Sequence, residues 1–320
     1  MLAAFGLAAG CSSATTTAPS TALNVVRDIA LPGTTSRFDY QSFDPTTRTL
    51  WIAHLGEDTV IAVNLTTDVA MPIGAIAQVH GVLAVPERHV VYATATGSNE
   101  IVSIDPTAFA INGRAPTGMF PDGLASDPDH QLLLGSNRAA GTVTVHDPAS
   151  LAIVRTVAVG HETGNVVYDP LSSHAYAATL PPDALVEFDP ATGTIIRTTD
   201  LAGCDGAHGV AINPQPHVAY VACESNARLA TVDLATNTAI GTQPVGNDPD
   251  VLSLDTTRHR LYVAAESGDV TILDTNNATT AKIGGLHLAG AHSVTVEPTT
   301  GQVLLRLANL NGRPTLRVMK

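Results

Sequence analysis

The chain has 320 residues, of which 44% are hydrophobic and only 4% aromatic, and its 16 basic and 29 acidic residues give a formal net charge of −13. This acidity argues against a nucleic-acid-binding protein, because phosphate backbones are bound by concentrated Lys and Arg. The apolar fraction supports a large core, packed mainly by small and β-branched side chains.

The first eleven residues, MLAAFGLAAGC, form an apolar run that ends in small residues and Cys11. This run resembles a bacterial lipoprotein signal, in which the cysteine becomes the lipidated first residue of the mature chain. Residues 12–22 are a polar tract, predicted to be a disordered linker. We therefore expect an exported protein of the bacterial envelope, anchored to the membrane only through a lipid on Cys11 and facing the periplasm or the outside. An apolar tail with an incidental cysteine is the alternative.

Seven copies of one sequence frame follow, and one column of that frame recurs every 41 to 44 residues. Each copy contains up to four short segments of alternating apolar and polar residues, separated by turns rich in Pro, Gly, Asn and Asp. Four strands in a repeat of this length predict the blade of a β-propeller. The column consists of Asp39, His80, Asp122, Gly164, His208, Asp250 and His292.

The seventh copy has three predicted strands, near residues 292–297, 302–307 and 314–319, and lacks a fourth. Its missing strand is at the other end of the chain, because LNVVRDIALPG (23–33) matches LAIVRTVAVG (151–160), the fourth strand of an earlier copy. The sequence thus predicts one all-β domain over residues 23–320. This domain is a seven-bladed β-propeller of four-stranded blades, closed by the N-terminal strand pairing into the last blade.

Ten acidic residues fall in two turn columns, where a carboxylate braces a tight turn by hydrogen bonding to the backbone. These residues are predicted to be structural. The first column is Asp44, Asp127, Asp169, Asp255 and Glu297, and the second is Asp105, Asp147, Asp189, Asp233 and Asp274.

The recurring column opens the innermost strand of each blade, so its side chains should ring one mouth of the central channel. Around the ring, carboxylates alternate with imidazoles, except at Gly164, where Asn165 is the nearest polar group. One interpretation is a structural girdle of His–Asp hydrogen bonds. The other is a site for one divalent metal ion (Zn, Ca or Mg), with Gly164 leaving an open position for water or substrate. The candidate metal ligands are His80, His208, His292, Asp122 and Asp250.

Loops after the second strands are expected to add a second tier of side chains on the same face. Among them, Arg138 and Arg306 are suited to receive a carboxylate or phosphate. The full set of predicted ligand-binding residues is Asp39, His54, Asp122, Asn137, Asn165, Glu224, Asp250, Glu266 and Arg306.

Two cysteines belong to blade 5. Cys204 lies just before its first predicted strand, and Cys223 lies at the end of its second. These positions come together in an antiparallel hairpin, so the sequence favours a disulfide in an oxidising compartment. Two alternatives remain open at this point, a pair of free thiols and a zinc site that includes His208.

The segment YVACESNARLATVDLATNTAIGTQPVGNDPDVLSLD (220–255) resembles the repeat of the YVTN family of bacterial exported seven-bladed propellers. That repeat combines Tyr-Val, a polar loop, a Val-x-Val-Ile-Asp strand, Thr-x-x-Val and Val-Gly-x-x-Pro. The resemblance extends over nearly the whole chain from about Leu23, with a more distant similarity in outline to propellers of the gluconolactonase and phosphogluconolactonase types. It implies the fold and leaves the activity open.

Motifs of common hydrolases, zinc proteases, redox proteins and phosphate-binding loops are absent from the sequence. We therefore expect a monomeric binding or interaction protein whose partner is a small molecule or an envelope protein. The alternative is a metal-dependent lactonase, another hydrolase or a lyase. In that case the candidate catalytic residues are His80, His208 and His292, each as metal ligand or general base.

Overall fold

The structure, a computed structural model, describes residues 22–320. The predicted signal segment with Cys11, and all but the last residue of the predicted linker, lie outside these residues. The described chain folds into seven four-stranded antiparallel sheets, which confirms the seven-bladed propeller. Within residues 22–320 there is no helix with the length and apolar character needed to cross a bilayer.

The strands are numbered in chain order. Blade 1 contains β2 (Gln41–Asp44), β3 (Thr49–His54), β4 (Thr59–Asn64) and β5 (Val69–Ile73). Blade 2 contains β6 (Val79–Val85), β7 (Val90–Ala95), β8 (Glu100–Asp105) and β9 (Ala110–Pro116), and blade 3 contains β10 (Pro121–Asp127), β11 (Leu132–Asn137), β12 (Thr142–His146) and β13 (Ile153–Ala158). Blade 4 contains β14 (Glu162–Asp169), β15 (His174–Leu180), β16 (Ala184–Phe188) and β17 (Ile195–Asp200), and blade 5 contains β18 (Ala207–Asn213), β19 (Val218–Cys223), β20 (Arg228–Asp233) and β21 (Thr238–Pro244). Blade 6 contains β22 (Pro249–Asp255), β23 (Arg260–Ala265), β24 (Asp269–Asp274) and β25 (Ala281–His287), and blade 7 contains β26 (Val294–Glu297), β27 (Gln302–Leu310), β28 (Arg313–Met319) and β1 (Val25–Ala30). Short 3-10 turns occur at Leu55–Glu57, Pro86–Arg88, Thr96–Ser98, Arg138–Ala140 and Glu224–Asn226.

The two ends of the chain close the ring in blade 7. Strand β1 pairs antiparallel with β28, from Val25 opposite Met319 to Ala30 opposite Thr315. The sheet order is β1-β28-β27-β26, so the N-terminal strand is the outermost strand of the last blade, as predicted. Strand β26 then packs beside β2 of blade 1, and the ring has no gap between its first and last blades.

The turn columns have the structural role predicted for them. Asp44 Oδ1 accepts a hydrogen bond of 2.8 Å from the backbone N–H of Thr46, and Asp105 Oδ1 accepts one of 2.7 Å from that of Thr107. Each carboxylate thereby satisfies a backbone donor that the tight turn leaves without a strand partner.

Burial follows strand position within each blade. Strands β3 and β19, second in their sheets, are buried along their whole length, whereas the outermost strand β17 is mostly exposed. The first strands face the central channel, where they meet the first strands of neighbouring blades. Side chains at the beginning of these inner strands are therefore brought together from all seven blades, although they are far apart in sequence.

Candidate functional site

The residues of the repeat column meet at one mouth of the channel. Five of the seven lie within the first strands, while Asp39 and His292 lie two residues before β2 and β26. The side chains of Asp39, Asp122 and His208 are buried, and that of His80 is partly exposed. The predicted ring therefore exists, and its residues other than Gly164 and His292 form the floor of a cavity.

This upper cavity has a volume of about 480 Å³. Six carboxylates line it, namely Asp39, Asp122, Glu224, Asp248, Asp250 and Glu266. Its other lining residues are Arg37, Tyr40, His80, Phe120, Arg138 and His208. Arg37, Tyr40, Phe120 and Asp248 are not among the residues predicted from the sequence.

The upper cavity is strongly acidic. Six carboxylates against two arginines leave a formal charge of −4 when the imidazoles are neutral. At the rim, Arg37 Nη2 pairs with Glu266 Oε1 at 2.7 Å. On the floor, none of the carboxylates of Asp39, Asp122 and Asp250 has an arginine or lysine nitrogen of residues 22–320 within ion-pairing distance. The uncompensated negative charge is thus concentrated on the floor.

Burial of these carboxylates changes their acidity. It raises the pKa of Asp39 well above its usual value, and the neighbouring charges of Asp250 and Asp122 add to the rise. Burial also raises the pKa of Asp250 to about 7, although His208 opposes the change. The pKa of Glu224 is raised for the same reason. A bound cation would reverse these shifts, because it favours the ionised carboxylates.

His208 is the centre of a group of side chains that we call the His208 cluster, consisting of His208, Asp122, Glu224 and Asp250. Its Nε2 atom lies 3.3 Å from Asp122 Oδ2 and 3.7 Å from both Glu224 Oε1 and Asp250 Oδ1. Donor atoms of His208, Glu224 and Asp250 all lie within 4.8 Å of one another. Two ligands bound at about 2.1 Å to a tetrahedral ion are about 3.4 Å apart, so the cluster has the dimensions of a metal site.

Tyr40 closes the floor from below. Its hydroxyl donates to Asp250 Oδ1 at 2.9 Å, accepts from Asn165 Nδ2 at 2.9 Å and lies 3.1 Å from His208 Nε2. It thus links blade 1 to blades 4, 5 and 6 across the channel. A second cavity, mostly apolar and also about 480 Å³, begins on the other side of Tyr40.

The sequence itself distinguishes Tyr40 from its counterparts in the other repeats. The position after the column is Gly in three copies, at Gly81, Gly123 and Gly209, whereas the first copy has the large side chain of Tyr40. A large side chain at a position that is glycine in three other repeats indicates that Tyr40 extends into the channel.

Gly164 does not leave an open position, contrary to the sequence interpretation. A Cβ atom at this residue would lie 2.6 Å from His208 Cα and 2.6 Å from the His208 carbonyl oxygen. Blade 4 can therefore pack closely against blade 5 only because Gly164 has no side chain. This packing brings the backbone of His208 inward and leaves no room for water or substrate.

His292 and Arg306, predicted as metal ligand and ligand-binding residue, do not line the upper cavity, although His292 Nδ1 lies 3.5 Å from Glu266 Oε2. His292 Nε2 lies 3.0 Å from the carbonyl oxygen of Phe38 and 2.9 Å from Arg306 Nη2. Arg306 also donates to Ser293 Oγ at 3.1 Å, and its guanidinium lies 4.9 Å from the centre of the Phe38 ring. We call Phe38, Asp39, His292, Ser293 and Arg306 the closure seam, because they join blade 7 to blade 1.

The environment of the closure seam disfavours a metal ion. Donor atoms of His292, Asp39 and Asp250 do lie within 4.8 Å of one another. However, burial lowers the pKa of His292 to about 2, and the nearby charge of Arg306 contributes to the decrease. A second cation at this position would meet the same repulsion from the buried guanidinium.

Three other predicted ligand-binding residues also lie outside the upper cavity. The His54 ring stacks on Phe38 at 3.7 Å between centroids, and Asn137 is fully buried with its amide bonded to neighbouring threonines. Asn165 lines the apolar cavity below Tyr40. The sequence placed them on the correct face, but local packing turns their side chains away from the upper cavity.

Cys204 and Cys223 form a disulfide, with their Cα atoms 5.2 Å apart. This bond accounts for both thiols and removes the zinc-site alternative. It also supports the His208 cluster, since Cys223 directly precedes Glu224. The backbone N–H of Glu224 donates to the carbonyl oxygen of Gly206 at 2.9 Å, which fixes the start of the Glu224 loop beside the strand of His208.

Comparisons with known proteins support the fold. A hydrazine synthase structure from Kuenenia stuttgartiensis matches with a TM-score of 0.77 and 15% identity, covering 95% of this chain and 98% of the other. A chain of a mitotic checkpoint complex matches with a TM-score of 0.77 and 11% identity, covering 99% and 98%. No family model and no curated protein matches the sequence, so the resemblance to the YVTN family stays a prediction. At these identities the structural likeness shows that the chain shares the propeller architecture.

Proposed function

We propose that this protein is an exported, lipid-anchored binding propeller of the bacterial envelope that holds one divalent metal ion in the His208 cluster. The observation that carries the proposal is the convergence of three carboxylates on His208 Nε2, two of which, Asp122 and Asp250, are buried without an arginine or lysine partner among residues 22–320. Buried charges are costly unless they are paired or coordinate a metal. A divalent ion supplies the missing positive charge at the point where these donor atoms converge.

The ligands would be His208, Glu224 and Asp250, with Asp122 and Tyr40 beside them. Zinc accepts both imidazole nitrogen and carboxylate oxygen as ligands, whereas magnesium and calcium prefer oxygen ligands alone. Tyr40 orients one of these ligands, because its hydroxyl donates to Asp250 Oδ1. Because the ligand set includes an imidazole nitrogen, we favour zinc over magnesium and calcium.

Elemental analysis of the purified protein tests the metal site directly. We expect near-stoichiometric metal and a lower melting temperature after treatment with EDTA, because an ion that binds only the folded state stabilises it. Added Zn²⁺ should restore the melting temperature better than Ca²⁺ or Mg²⁺. A metal-free preparation whose melting is unchanged by all three ions would contradict the proposal.

A pair of matched substitutions locates the site. Glu224→Gln should weaken metal binding by about tenfold or more, the scale expected when a group that holds the ion is altered. Glu162→Gln removes an exposed carboxylate that lies 3.8 Å from Arg138 on the same face but outside the cluster. It should leave the metal affinity unchanged, so equal effects of the two substitutions would show that only the general negative field matters.

The anchor is tested separately from the metal. Cys11→Ala should release the protein from the membrane fraction, and wild-type protein should show a mobility shift when signal processing is inhibited with globomycin. Recovery of all wild-type protein in the soluble periplasmic fraction would contradict the lipid anchor and leave the metal site untouched.

A metal-dependent hydrolase, such as a lactonase, is the second candidate function. It is favoured by a specific observation, the open cavity of about 480 Å³ directly above a group of three ligands. Catalytic zinc sites keep a position for water beside three protein ligands, and the ion lowers the pKa of that water. A panel of sugar lactones and aryl esters, assayed with and without EDTA, distinguishes an enzyme from a binding protein.

A further inference from the structure

We propose that the upper cavity binds a small molecule with a carboxylate group, held between the metal ion of the His208 cluster and the guanidinium of Arg138. This inference rests on the proposed metal site and adds the chemical class of its ligand. The sequence marked both Arg138 and Arg306 as residues suited to an anion, and the structure separates them.

Arg138 keeps free hydrogen-bond donors in the upper cavity. Its Nη2 forms an ion pair with Glu224 Oε2 at 3.5 Å and its Nε forms one with Glu162 Oε2 at 3.8 Å, but its guanidinium donates no hydrogen bond to any of residues 22–320. In contrast, Arg37 on the same rim is paired with Glu266 at 2.7 Å, and Arg306 is buried in the closure seam. Arg138 is therefore the arginine of the cavity whose planar donor group is available to a ligand.

The position of Arg138 is defined by its backbone. Its N–H donates to the carbonyl oxygen of Phe120 at 2.8 Å, and the preceding Asn137 is fully buried. From blade 3 its side chain extends toward Glu224 of blade 5, past blade 4, where the column residue is Gly164. The guanidinium thus lies near the His208 cluster without being part of it.

Glu224 connects Arg138 to the metal site. Its Oε1 atom is 3.7 Å from His208 Nε2, while its Oε2 atom is 3.5 Å from Arg138 Nη2. A ligand oxygen that occupies the remaining position of the metal would therefore lie within reach of the guanidinium. Arginine matches the planar geometry of a carboxylate with two parallel hydrogen bonds.

The size of the cavity calls for a ligand larger than an ion. A water molecule takes about 30 Å³ in the liquid, so an ion with one water would fill only a small part of about 480 Å³. Cavities of roughly 300–1,000 Å³ are typical of small-molecule sites. Phe120 adds an apolar wall, with its ring edge-on to His80 at 5.2 Å between centroids.

The charge of the cavity sets the order of binding. With six carboxylates against two arginines, the metal-free cavity disfavours anions, whereas a divalent ion adds positive charge and offers a coordination position. The carboxylate should therefore bind only after the metal. A monoanionic carboxylate is favoured over a phosphate, because a second negative charge would meet Asp248 and Glu266 at the rim.

The experiment is a calorimetric titration of the full chain, first with Zn²⁺ and then, at saturating Zn²⁺, with acetate, glycolate, inorganic phosphate or putrescine. We expect glycolate to bind most tightly, since its hydroxyl and carboxylate can both reach the ion, and acetate to bind more weakly. Neither should bind to metal-free protein. By reciprocity, glycolate should raise the affinity for Zn²⁺ by the same factor by which Zn²⁺ raises the affinity for glycolate.

Substitutions of Arg138 test whether it binds the carboxylate of the ligand. In metal-saturated protein, Arg138→Gln should weaken glycolate by about tenfold or more, the scale of a lost charge-assisted hydrogen bond. Arg138→Lys should retain part of the affinity, because it keeps the charge but loses the planar pair of donors. The control is Arg114→Gln, which removes one exposed positive charge from β9, and it should leave glycolate binding unchanged.

The outcomes separate this inference from the proposed function. If Zn²⁺ binds but no carboxylate does, or if Arg138→Gln binds glycolate as well as wild type, the carboxylate ligand is wrong and the metal site stands. If putrescine binds and displaces Zn²⁺, the cavity is a site for organic cations. If no metal binds, both proposals fail together.

Discussion

The closure seam and the His208 cluster are two arcs of the same ring, and they use the same repeat position in different ways. Each contains a buried histidine from the column, His292 in the seam and His208 in the cluster. His292 Nε2 faces a backbone carbonyl and a buried guanidinium. His208 Nε2 faces only side chains, of which three are carboxylates.

The difference lies in what compensates each buried charge. In the seam, Arg306 donates to Gly290 O at 3.2 Å and to Ser293 Oγ at 3.1 Å, so its charge is distributed over fixed acceptors. In the cluster, Arg138 lies 3.5 Å from Glu224, but no arginine or lysine nitrogen of residues 22–320 is within ion-pairing distance of Asp122 or Asp250, so protons or a bound ion must neutralise these two carboxylates. The seam therefore stabilises the fold without a ligand, whereas the cluster is costly until a cation arrives.

The closure seam lies where the first and last blades of the ring meet. Blade 7 is built from both ends of the chain, and the segment between β1 and β2 (residues 31–40) connects it covalently to blade 1. His292 and Ser293 bond the carbonyl oxygens of Phe38 and Asp39, 254 residues away in sequence. These polar contacts join the first and last blades at the channel, while β1 joins them at the outer edge.

The largest expected effect comes from breaking the closure itself. Deletion of residues 1–33 removes β1 and exposes the edge of β28, so the protein should aggregate or lose its cooperative unfolding. Deletion of residues 1–20 keeps β1 and is the matched control, which should elute as a monomer with wild-type melting. Size-exclusion chromatography and thermal melting measure both. Equal solubility and stability of the two truncations would contradict the role of β1.

Arg306→Leu should show the next largest effect. It leaves the acceptors Gly290 O and Ser293 Oγ without their donor and removes the contact with Phe38, which together should cost about 3 kcal/mol. Urea unfolding with EDTA present measures this cost without a contribution from metal. The Zn²⁺ affinity of the folded variant should remain within about twofold of wild type, because the seam is not part of the metal site. A large loss of Zn²⁺ affinity would show that the two arcs are coupled.

Substitution of the two histidines compares the arcs directly. His292→Ala should destabilise the protein by about 1–3 kcal/mol, the cost of lost hydrogen bonds at a buried site, and should retain the metal. His208→Ala should lose the metal and with it the stabilisation that EDTA removes from wild type. Elemental analysis and melting with and without EDTA give both readouts. Metal loss in His292→Ala with retention in His208→Ala would reverse the assignment.

The sequence was sufficient for the fold because the information is repeated. The period of 41 to 44 residues, the alternating segments and the match of residues 23–33 to a fourth strand are all present in several copies. The ring and the Cys204–Cys223 pairing follow from the same alignment of blades, since a fixed position in the repeat has a fixed place in the blade.

The site could be predicted only in part, because it depends on departures from the repeat. Tyr40 fills the channel where three other blades have glycine, and its contacts with blades 4, 5 and 6 cannot be seen in any single copy. His292 was assigned to the site because it shares the column of His208. The contacts of His292 are instead set by Arg306 and by the backbone of Phe38, and these residues come together only when the ring closes.

The smallest expected effect is the pH dependence of stability that the buried Asp250 of the His208 cluster causes. The folded pKa of Asp250, about 7, is above its ordinary value of 3.8. Between these values the folded protein holds a proton that the unfolded chain has released, so metal-free wild type should lose stability as the pH rises from about 4 to 7. Asp250→Asn cannot ionise and should flatten this decrease. At pH 8 with EDTA, it should be more stable than wild type by about 1 kcal/mol or more.

When zinc is present, wild type should instead be more stable than Asp250→Asn, because the ionised Asp250 then becomes a ligand and the wild type gains the binding energy of the ion. Asp248→Asn, an exposed residue of the same cavity rim, is the control and should keep the wild-type pH dependence. Thermal melting between pH 4 and 8, with EDTA or with Zn²⁺, measures all three proteins. A variant at Asp250 that is less stable than wild type under both conditions would mean that this carboxylate is compensated by its neighbours, as Arg306 is in the seam. The two arcs would then have the same structural role, and the case for a cation at His208 would be lost.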